Sequence, residues 1–466
     1  MRAISIRRSL WRRLMPFFSL VAIWAILFLN GSASVRAQAP SQSVPLGVPE
    51  MPQVPQAVPQ AVPQEILEIP QKVLQEVRGV WMTVNDSEVW MNRDRMHRAV
   101  DELARSNFNT IYPVVWNSGY VMYPSPFAQK EGIQTFIPLG KQKQDTLAEL
   151  IAYAHQRGLR VVPWMEFGFM TPPTSELAML HPNWLTQKKD GTQTDDESVG
   201  EVVWLNPFRP EVQQFFSGLV TEVASSYDVD GIQFDDHTSL PSKFGYDPYT
   251  LDLYAKETEK AKEAQKARAV EKAKNVQEAK KQVKKEATEL KETKEVETPM
   301  STDPKVSEWI EWRANKLTDY IVQLHQTVKA IRPKAVFSVA PNPYDTAYLG
   351  SLQDWLAWFR KGIVDELIVQ VYRTDFNSFI TQVNRPELQE AKKKISTGIG
   401  VLAGLRNRQI PMSQIQAQTK YVRSQGLGAT FFYFECLWNY APESIQQRQV
   451  QFQELLLPSS VKADNP

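Results

Sequence analysis

From Gln75 onward the chain alternates short β-branched and aromatic runs with longer amphipathic stretches. The runs are "EVRGVWMTV", "NTIYPVVW", "LRVVPWMEF", "GIQFDD", "AVFSVA", "ELIVQVYR", "ISTGIGV" and "GATFFYFE". Each has the length of one strand and the residue types that suit a pleated, buried surface. The longer stretches include "RDRMHRAVDELARSN", "DTLAELIAYAHQRG", "RPEVQQFFSGLVTEVASSY", "EWIEWRANKLTDYIVQLHQTVKAI" and "MSQIQAQTKYVRSQG". Their apolar positions recur every three or four residues, and several close on Gly or Asn as helices do. Eight successive strand-then-helix units predict an α/β fold, a (β/α)8 TIM barrel over residues 75–458. A doubly wound sheet is the alternative.

Two regions break the rhythm. Residues 256–300 are almost wholly Lys, Glu, Ala and Gln, inserted between the fourth strand and its helix. Val276, Val283 and Leu290 give one thin stripe, short of the two apolar positions per heptad that a coiled coil requires. The segment therefore reads as a solvated helix or disordered arm, and contact with a protein or wall partner through 256–297 is the sharper alternative. At the N-terminus, Arg2, Arg7, Arg8, Arg12 and Arg13 precede an apolar run from Leu14 to Leu29 and an A-x-A pattern at Ala37 and Ala39. Residues 1–39 are thus expected to be a secretory signal, with an uncleaved membrane anchor as the alternative. Residues 40–74, in units such as "VPQAVPQAVPQ", form an extended Pro/Gln-rich linker. The mature domain is expected outside the cytoplasm: periplasmic, cell-surface or secreted.

Composition narrows the classes. With 466 residues, 42% of them hydrophobic, the chain can bury a large core. A formal charge of +1 supplies no sustained positive field for nucleic acid. One cysteine, Cys436, excludes an intrachain disulfide, so an exported fold rests on its core. Thirteen Trp provide flat faces of the kind that stack on sugar rings.

The candidate chemistry lies in "VDGIQFDDHTS", residues 229–239. Strand side chains alternate, so Ile232 and Phe234 face the helices while Gln233 and Asp235 point into the barrel. Barrel enzymes work at the C-terminal ends of their strands, which aims Asp235 at the pocket and leaves Asp236 and His237 at its edge. Alternation also groups Val162, Trp164 and Glu166 on the third strand, Gln370 and Tyr372 on the sixth, and Phe431, Tyr433 and Glu435 on the eighth. Trp116 and Asn117, Asn206 in "WLNP", Asn342 and Tyr344 in "APNPY", and Trp438 complete a cleft of acids, amides and aromatics. Such a cleft suits a hydroxyl-rich glycan, and paired carboxyls can protonate a glycosidic oxygen while stabilising or attacking the oxocarbenium centre. A single strand-end Asp serves equally well as a helix cap; several inward acids on different strands favour catalysis. "DDH" also suggests a metal site, but three successive residues turn poorly toward one ion and no H-x-x-x-H or Cys cluster accompanies them. Neither a metal nor another cofactor is expected. Ser–His–Asp chemistry lacks its G-x-S-x-G elbow.

"RGVWMTV", "NTIYPVVWNSGYVMYPS", "AHQRGLRVVPWMEF", "WLNPFRPEVQQF" and above all "YDVDGIQFDDH" resemble glycosyl hydrolase-like family ten, a group of bacterial exported proteins. The resemblance runs from about Val77 to the end of the eighth strand. It implies a TIM barrel and a glycoside hydrolase acting on a bacterial cell-wall or other extracellular polysaccharide, peptidoglycan glycan strands foremost. Asp235 and Asp236 occupy the positions of the family's acidic pair, while "WMEFGF" and the charged insertion depart from its pattern. The expected roles are Asp235 as nucleophile or stabilising carboxylate, Glu435 or Glu166 as general acid/base, and Asp236 and His237 as tuning or binding groups. Trp116, Asn117, Trp164, Asn206, Asn342, Tyr344, Gln370, Tyr372 and Trp438 are expected to contact sugar. A non-catalytic glycan-binding barrel and a wall-tethered scaffold are the alternatives.

Overall fold

The structure, a computed structural model, describes residues 76–458 apart from 87–88, 90–91, 134, 136–143 and 283–303. The expected signal, the linker and the second part of the charged insertion lie outside the described residues.

The eight anticipated strands are present: β1 (Arg78–Met82), β2 (Thr110–Pro113), β3 in two pieces (Arg160–Val161 and Trp164–Met165), β4 (Gly231–Asp235), β5 (Val336–Ala340), β6 (Glu366–Gln370), β7 (Ser396–Leu402) and β8 (Gly428–Phe432). Each pairs in parallel with the next, and β8 returns to β1 with Ala429 opposite Arg78. Pro163 divides β3, because proline has no N–H to give to a ladder. The first piece pairs with β2 and the second with β4, while Val114 bridges Trp164 across the break. The ring closes through this bent strand.

Helices cover the outside. Arg93–Arg105 starts where the Asn92 side chain accepts the Arg95 N–H at 3.0 Å, and Thr146–Gln156 starts the same way on Asp145. Both caps satisfy a first-turn donor that has no partner within the helix. Val212, Phe216, Leu219 and Val223 of Pro210–Ser226 join Leu317, Tyr320, Ile321 and Leu324 of Pro304–Ile331 in the layer between helices and sheet.

Aromatic and aliphatic side chains fill the barrel lumen: Trp81, Tyr112, Val114, Val162, Trp164 and Ile368 form one buried cluster. Gly79 makes room for it, since a Cβ there would stand 2.7 Å from the Tyr112 ring. Buried polar groups run through the same space. Glu366, 1% exposed, accepts from the Tyr112 hydroxyl at 2.8 Å and the Ser338 hydroxyl at 2.9 Å, and pairs with Arg160 at 3.2 Å. Gln233 donates to Ser338 and accepts from the Trp81 indole, so the network is fully connected.

Part of the charged insertion is ordered as helix Pro248–Gln282. Its root is held by Tyr254, edge-on to Trp309 and Trp312 at 4.8 and 5.1 Å, and by Glu257, which accepts from Trp312 and Lys316. From Glu259 to Lys272 every side chain is exposed, which fits a solvated helix.

Removing one member of the lumen network leaves the buried Glu366 carboxylate without its counter-charge in the case of Arg160, or short of one hydrogen bond in the case of Tyr112. Arg160→Met is expected to cost about 3 to 5 kcal/mol and Tyr112→Phe about 1.5 to 3 kcal/mol. Urea unfolding of the two variants against the parent measures both.

Candidate active site

Two turns at the C-terminal end of the barrel build the site. The chain leaves β3 through a turn at Glu166–Phe169 and leaves β4 through a turn at Asp236–His237, closed by the Thr238 N–H on the Asp235 carbonyl at 3.0 Å. Gln353, from the segment after β5, donates to the carbonyl of Asp235 at 2.8 Å and so holds the second turn from beneath.

The two consecutive carboxylates meet different surroundings. The Asp235 side chain is 3% exposed, and both of its oxygens are engaged. Oδ2 accepts the Trp164 indole N–H at 2.7 Å; Oδ1 accepts the His237 backbone N–H at 3.2 Å and faces Nδ1 of the same residue at 3.1 Å. The Asp236 side chain is 20% exposed. Asn342 donates to its Oδ2 at 2.7 Å and Gln370 to its Oδ1 at 3.1 Å. His237 reaches both acids, lying 3.6 Å from Asp236 Oδ1, and its Nδ1 is 3.0 Å from the Glu166 backbone carbonyl. A carbonyl can only accept, so Nδ1 carries a proton.

These contacts fix the protonation pattern. Burial, then the neighbouring Asp236, pushes the Asp235 carboxyl well above the ordinary range. Burial pushes Asp236 upward too, but the His237 charge and the hydrogen bonds from Asp235, Gln370 and Asn342 outweigh it and hold Asp236 below its usual value. Burial opposes a charge on His237, yet Asp236 and Asp235 outweigh that and raise it to about 10. Adjacent acids that share one counter-charge split in this way. Glu166, half-buried, is raised to about 7 by burial, against the opposing effect of Asn117, whose amide donates to Oε2 at 2.7 Å.

The residues expected from the sequence separate into groups. Asp235, Asp236, His237, Glu166, Asn117, Trp164, Asn342 and Gln370 are joined by the contacts above, and burial and the charges of Asp235, Asp236 and Glu166 together raise the Tyr372 phenol. Tyr372 rests 5.4 Å from Phe432, which also borders Trp81 and Trp164. Trp116 does not line the cleft: it is fully buried against Phe215 and donates to the Gly168 carbonyl. Trp164 is also buried, and its polar edge is turned to Asp235. Asn206 is sealed beneath the surface, holding Asp247 and Thr250 and accepting the Phe208 N–H. Tyr344 points its hydroxyl at Asp354, and Trp438 is buried against Phe452.

Glu435 departs from the alternation expected of it. β8 ends at Phe432, the chain enters helix Phe434–Trp438, and Phe431 packs outward on Phe108 and Phe452. The Glu435 carboxylate pairs with Arg406 at 2.9 Å, and its backbone N–H donates to Asp86 at 2.7 Å. It borders a different cavity, of about 310 Å³, with Asn85, Asp86, Glu102 and Gln449.

The ligand atoms of Asp235, Asp236 and His237 all lie within 4.8 Å of one another, so three successive residues do turn toward one point, contrary to the expectation from the chain. Within this group His237 Nδ1 is turned to the Glu166 carbonyl at 3.0 Å and to Asp235 Oδ1 at 3.1 Å.

Sequence reasoning missed Asp86, a buried acid just past β1 whose carboxyl is pushed well up by burial. Its place after a strand was signal enough. Reasoning also passed over Trp204, two residues before Asn206. With Ser239, Ser242, Lys243 and Glu197, Trp204 lines a cavity of about 360 Å³ that Asp236, His237 and Asn342 also border. Its outer wall is a hairpin, Thr194–Glu197 with Gly200–Trp204, attached through Asp195 to Lys188 and Lys243.

A family model described as Glycosyl hydrolase-like 10 matches residues 76–423. Glycosyl hydrolase DigH of Escherichia coli strain K12 is 24% identical over 345 residues, covering 65% of this chain and 66% of its own length. Glycosyl hydrolase YngK of Bacillus subtilis strain 168 is 19% identical over 343 residues, covering 64% of this chain and 54% of its own. The chain thus spans just under two thirds of the first relative and about half of the second. Among solved structures, the glycoside hydrolase domain of PgaB (BpsB) from Bordetella bronchiseptica superposes with a TM-score of 0.52 at 13% identity, covering 83% of this chain and 100% of that one. Alpha-L-fucosidase isoenzyme 2 from Paenibacillus thiaminolyticus gives 0.52 at 12% identity, covering 84% and 50%. At these identities the likeness establishes the barrel.

The charge at the strand ends ties stability to pH. A histidine raised from 6.5 to about 10 stabilises the fold fully below pH 6.5 and loses that contribution as pH climbs toward 10. Unfolding free energy is expected to decline across that window, and His237→Gln to flatten the decline. An unchanged slope in the variant would contradict the charged imidazole.

Proposed function

The chain belongs to the glycosyl hydrolase-like 10 family, and from that premise we propose an exported glycoside hydrolase that cleaves a bacterial cell-wall or extracellular polysaccharide, peptidoglycan glycan strands foremost. One observation carries the chemistry: two half-buried carboxyls on adjacent strand-end turns are driven in opposite directions, Glu166 up to about 7 and Asp236 down. Oppositely displaced carboxyls are what a glycosidase needs, one keeping a proton and the other kept ionised.

Glu166 is the general acid. It gives its proton to the glycosidic oxygen as the bond from the anomeric carbon breaks, and the leaving sugar departs as an alcohol. Asp236 is the carboxylate that stabilises or attacks the oxocarbenium carbon, held in aim by Asn342 and Gln370. A water then adds to that carbon and returns a proton to Glu166, which frees the second sugar and restores both carboxyls. This assignment favours Asp236 over Asp235, whose oxygens are occupied by Trp164 and His237 and closed off from the cleft. Asp235 instead holds the His237 imidazole through its Oδ1, while Asp236 does most to keep that imidazole charged. The cavity beside Asp236 has the hydroxyls, amide and indole that hold a sugar ring. The similarity to the glycosyl hydrolases DigH and YngK supports the reaction class, and the arginine-led apolar N-terminus supports export.

The test is release of reducing ends from peptidoglycan, with and without stem peptides, and from α- and β-glucans. Glu166→Gln is expected to lower kcat by about 10²- to 10⁴-fold, and Asp236→Asn to lower it at least as far. Because the acid works protonated, parent activity falls as pH rises through about 7. Full activity in Glu166→Gln overturns the assignment, and glycan binding without release by the parent replaces the hydrolase with a binding barrel.

A further inference from the structure

The turn that carries Glu166 and the turn that carries Asp236 are built as one joint. The Phe169 N–H donates to the His237 carbonyl at 3.0 Å, and His237 Nδ1–H returns a bond to the Glu166 carbonyl at 3.0 Å. Between these bonds the backbones touch. A Cβ on Gly168 would lie 2.3 Å from the carbonyl carbon and oxygen of His237 and 2.3 Å from the Thr238 nitrogen, and Gly168 sits at φ +48°. No side chain fits there, and the conformation itself disfavours one. From the other side the buried Trp116 indole donates to the Gly168 carbonyl at 2.8 Å, pressing the glycine into the contact.

We propose that Gly168 and His237 are positioning residues that clamp the β3 turn onto the β4 turn and thereby set where the Glu166 carboxyl stands relative to Asp236. The inference rests on the roles given above to Glu166 and Asp236. Its physical basis is that separation between the carboxyls decides what a glycosidase can do, and a pair on two independent loops would not hold it. Here the spacing is fixed by backbone contact, with the imidazole as the pin. His237 thus serves each turn: through its charge it keeps Asp236 ionised, and through its Nδ1–H it grips the peptide of Glu166.

The experiment compares Gly168→Ala with the parent by kcat, KM, melting temperature and NMR titration of the ¹³C-labelled Glu166 carboxyl. Displacing the turn is expected to lower kcat by about 10²-fold with KM changed by less than about threefold, and to change the acid dissociation constant of Glu166 by at least about threefold. A second pair covers the case in which Gly168→Ala does not fold. His237→Asn keeps an N–H near the position of Nδ1, so it is expected to retain at least about tenfold more kcat than His237→Ala. A Glu166 titration unmoved by Gly168→Ala, or equal kcat in the two His237 variants, overturns the clamp. A parent without turnover whose Glu166 titration still moves in Gly168→Ala leaves the clamp standing and sinks the hydrolase reading instead.

Discussion

Two carboxyls side by side at the end of a buried strand share one counter-charge here, so Asp236 is held ionised while burial and Asp236 push Asp235 up. The site follows from meeting that constraint. His237 supplies the positive charge from the next position in the chain, where no long-range element has to deliver it. The remaining oxygen sites are satisfied by donors from other strands: Trp164 for Asp235, and Asn342 and Gln370 for Asp236. The β3, β5 and β6 regions therefore converge on β4 because a buried acid left unpaired would cost more than the fold can lose.

The rest of the lumen repeats the solution at greater depth. Glu366 is as enclosed as Asp235, but Arg160 pairs it and Tyr112 and Ser338 donate to it, so its carboxylate is spent on structure. Asp236, the residue after Asp235, differs from both in being exposed at one edge. Asp236 and His237 open onto a cavity, whereas Glu366, at the first position of β6, is 1% exposed. One barrel thus holds a carboxylate enclosed in its lumen and another open to a cavity, a difference set by which end of the strands each stands at.

How far the sequence revealed this depended on regularity. Every strand could be seen in the alternation of β-branched and polar positions, and on β4 the two-residue period correctly turned Gln233 and Asp235 inward. The period failed on β8 because the strand stops at Phe432 and a helix begins two residues later, so Glu435 obeys a different geometry. Aromatic and amide types misled in the same way. Trp116 and Asn206 have the chemistry of sugar contacts, but burial converts them to core and turn scaffolding. Burial is a tertiary property, with no signature in a single residue. The convergence of Asp235, Asp236 and His237 was missed for a related reason: a turn can gather neighbours that a strand would spread apart.

The hairpin at Thr194–Glu197 and Gly200–Trp204 stands apart from these dependencies. It meets the β4 turn through the Trp204 ring, 6.2 Å from that of His237, and is fastened at its margin by Asp195 between two lysines. For protein engineering this separates a set of turns bonded to one another from a hairpin bound to them by few contacts. Replacing the hairpin between its anchors therefore changes one wall of the cavity and leaves the contacts among Glu166, Asp236 and His237 in place.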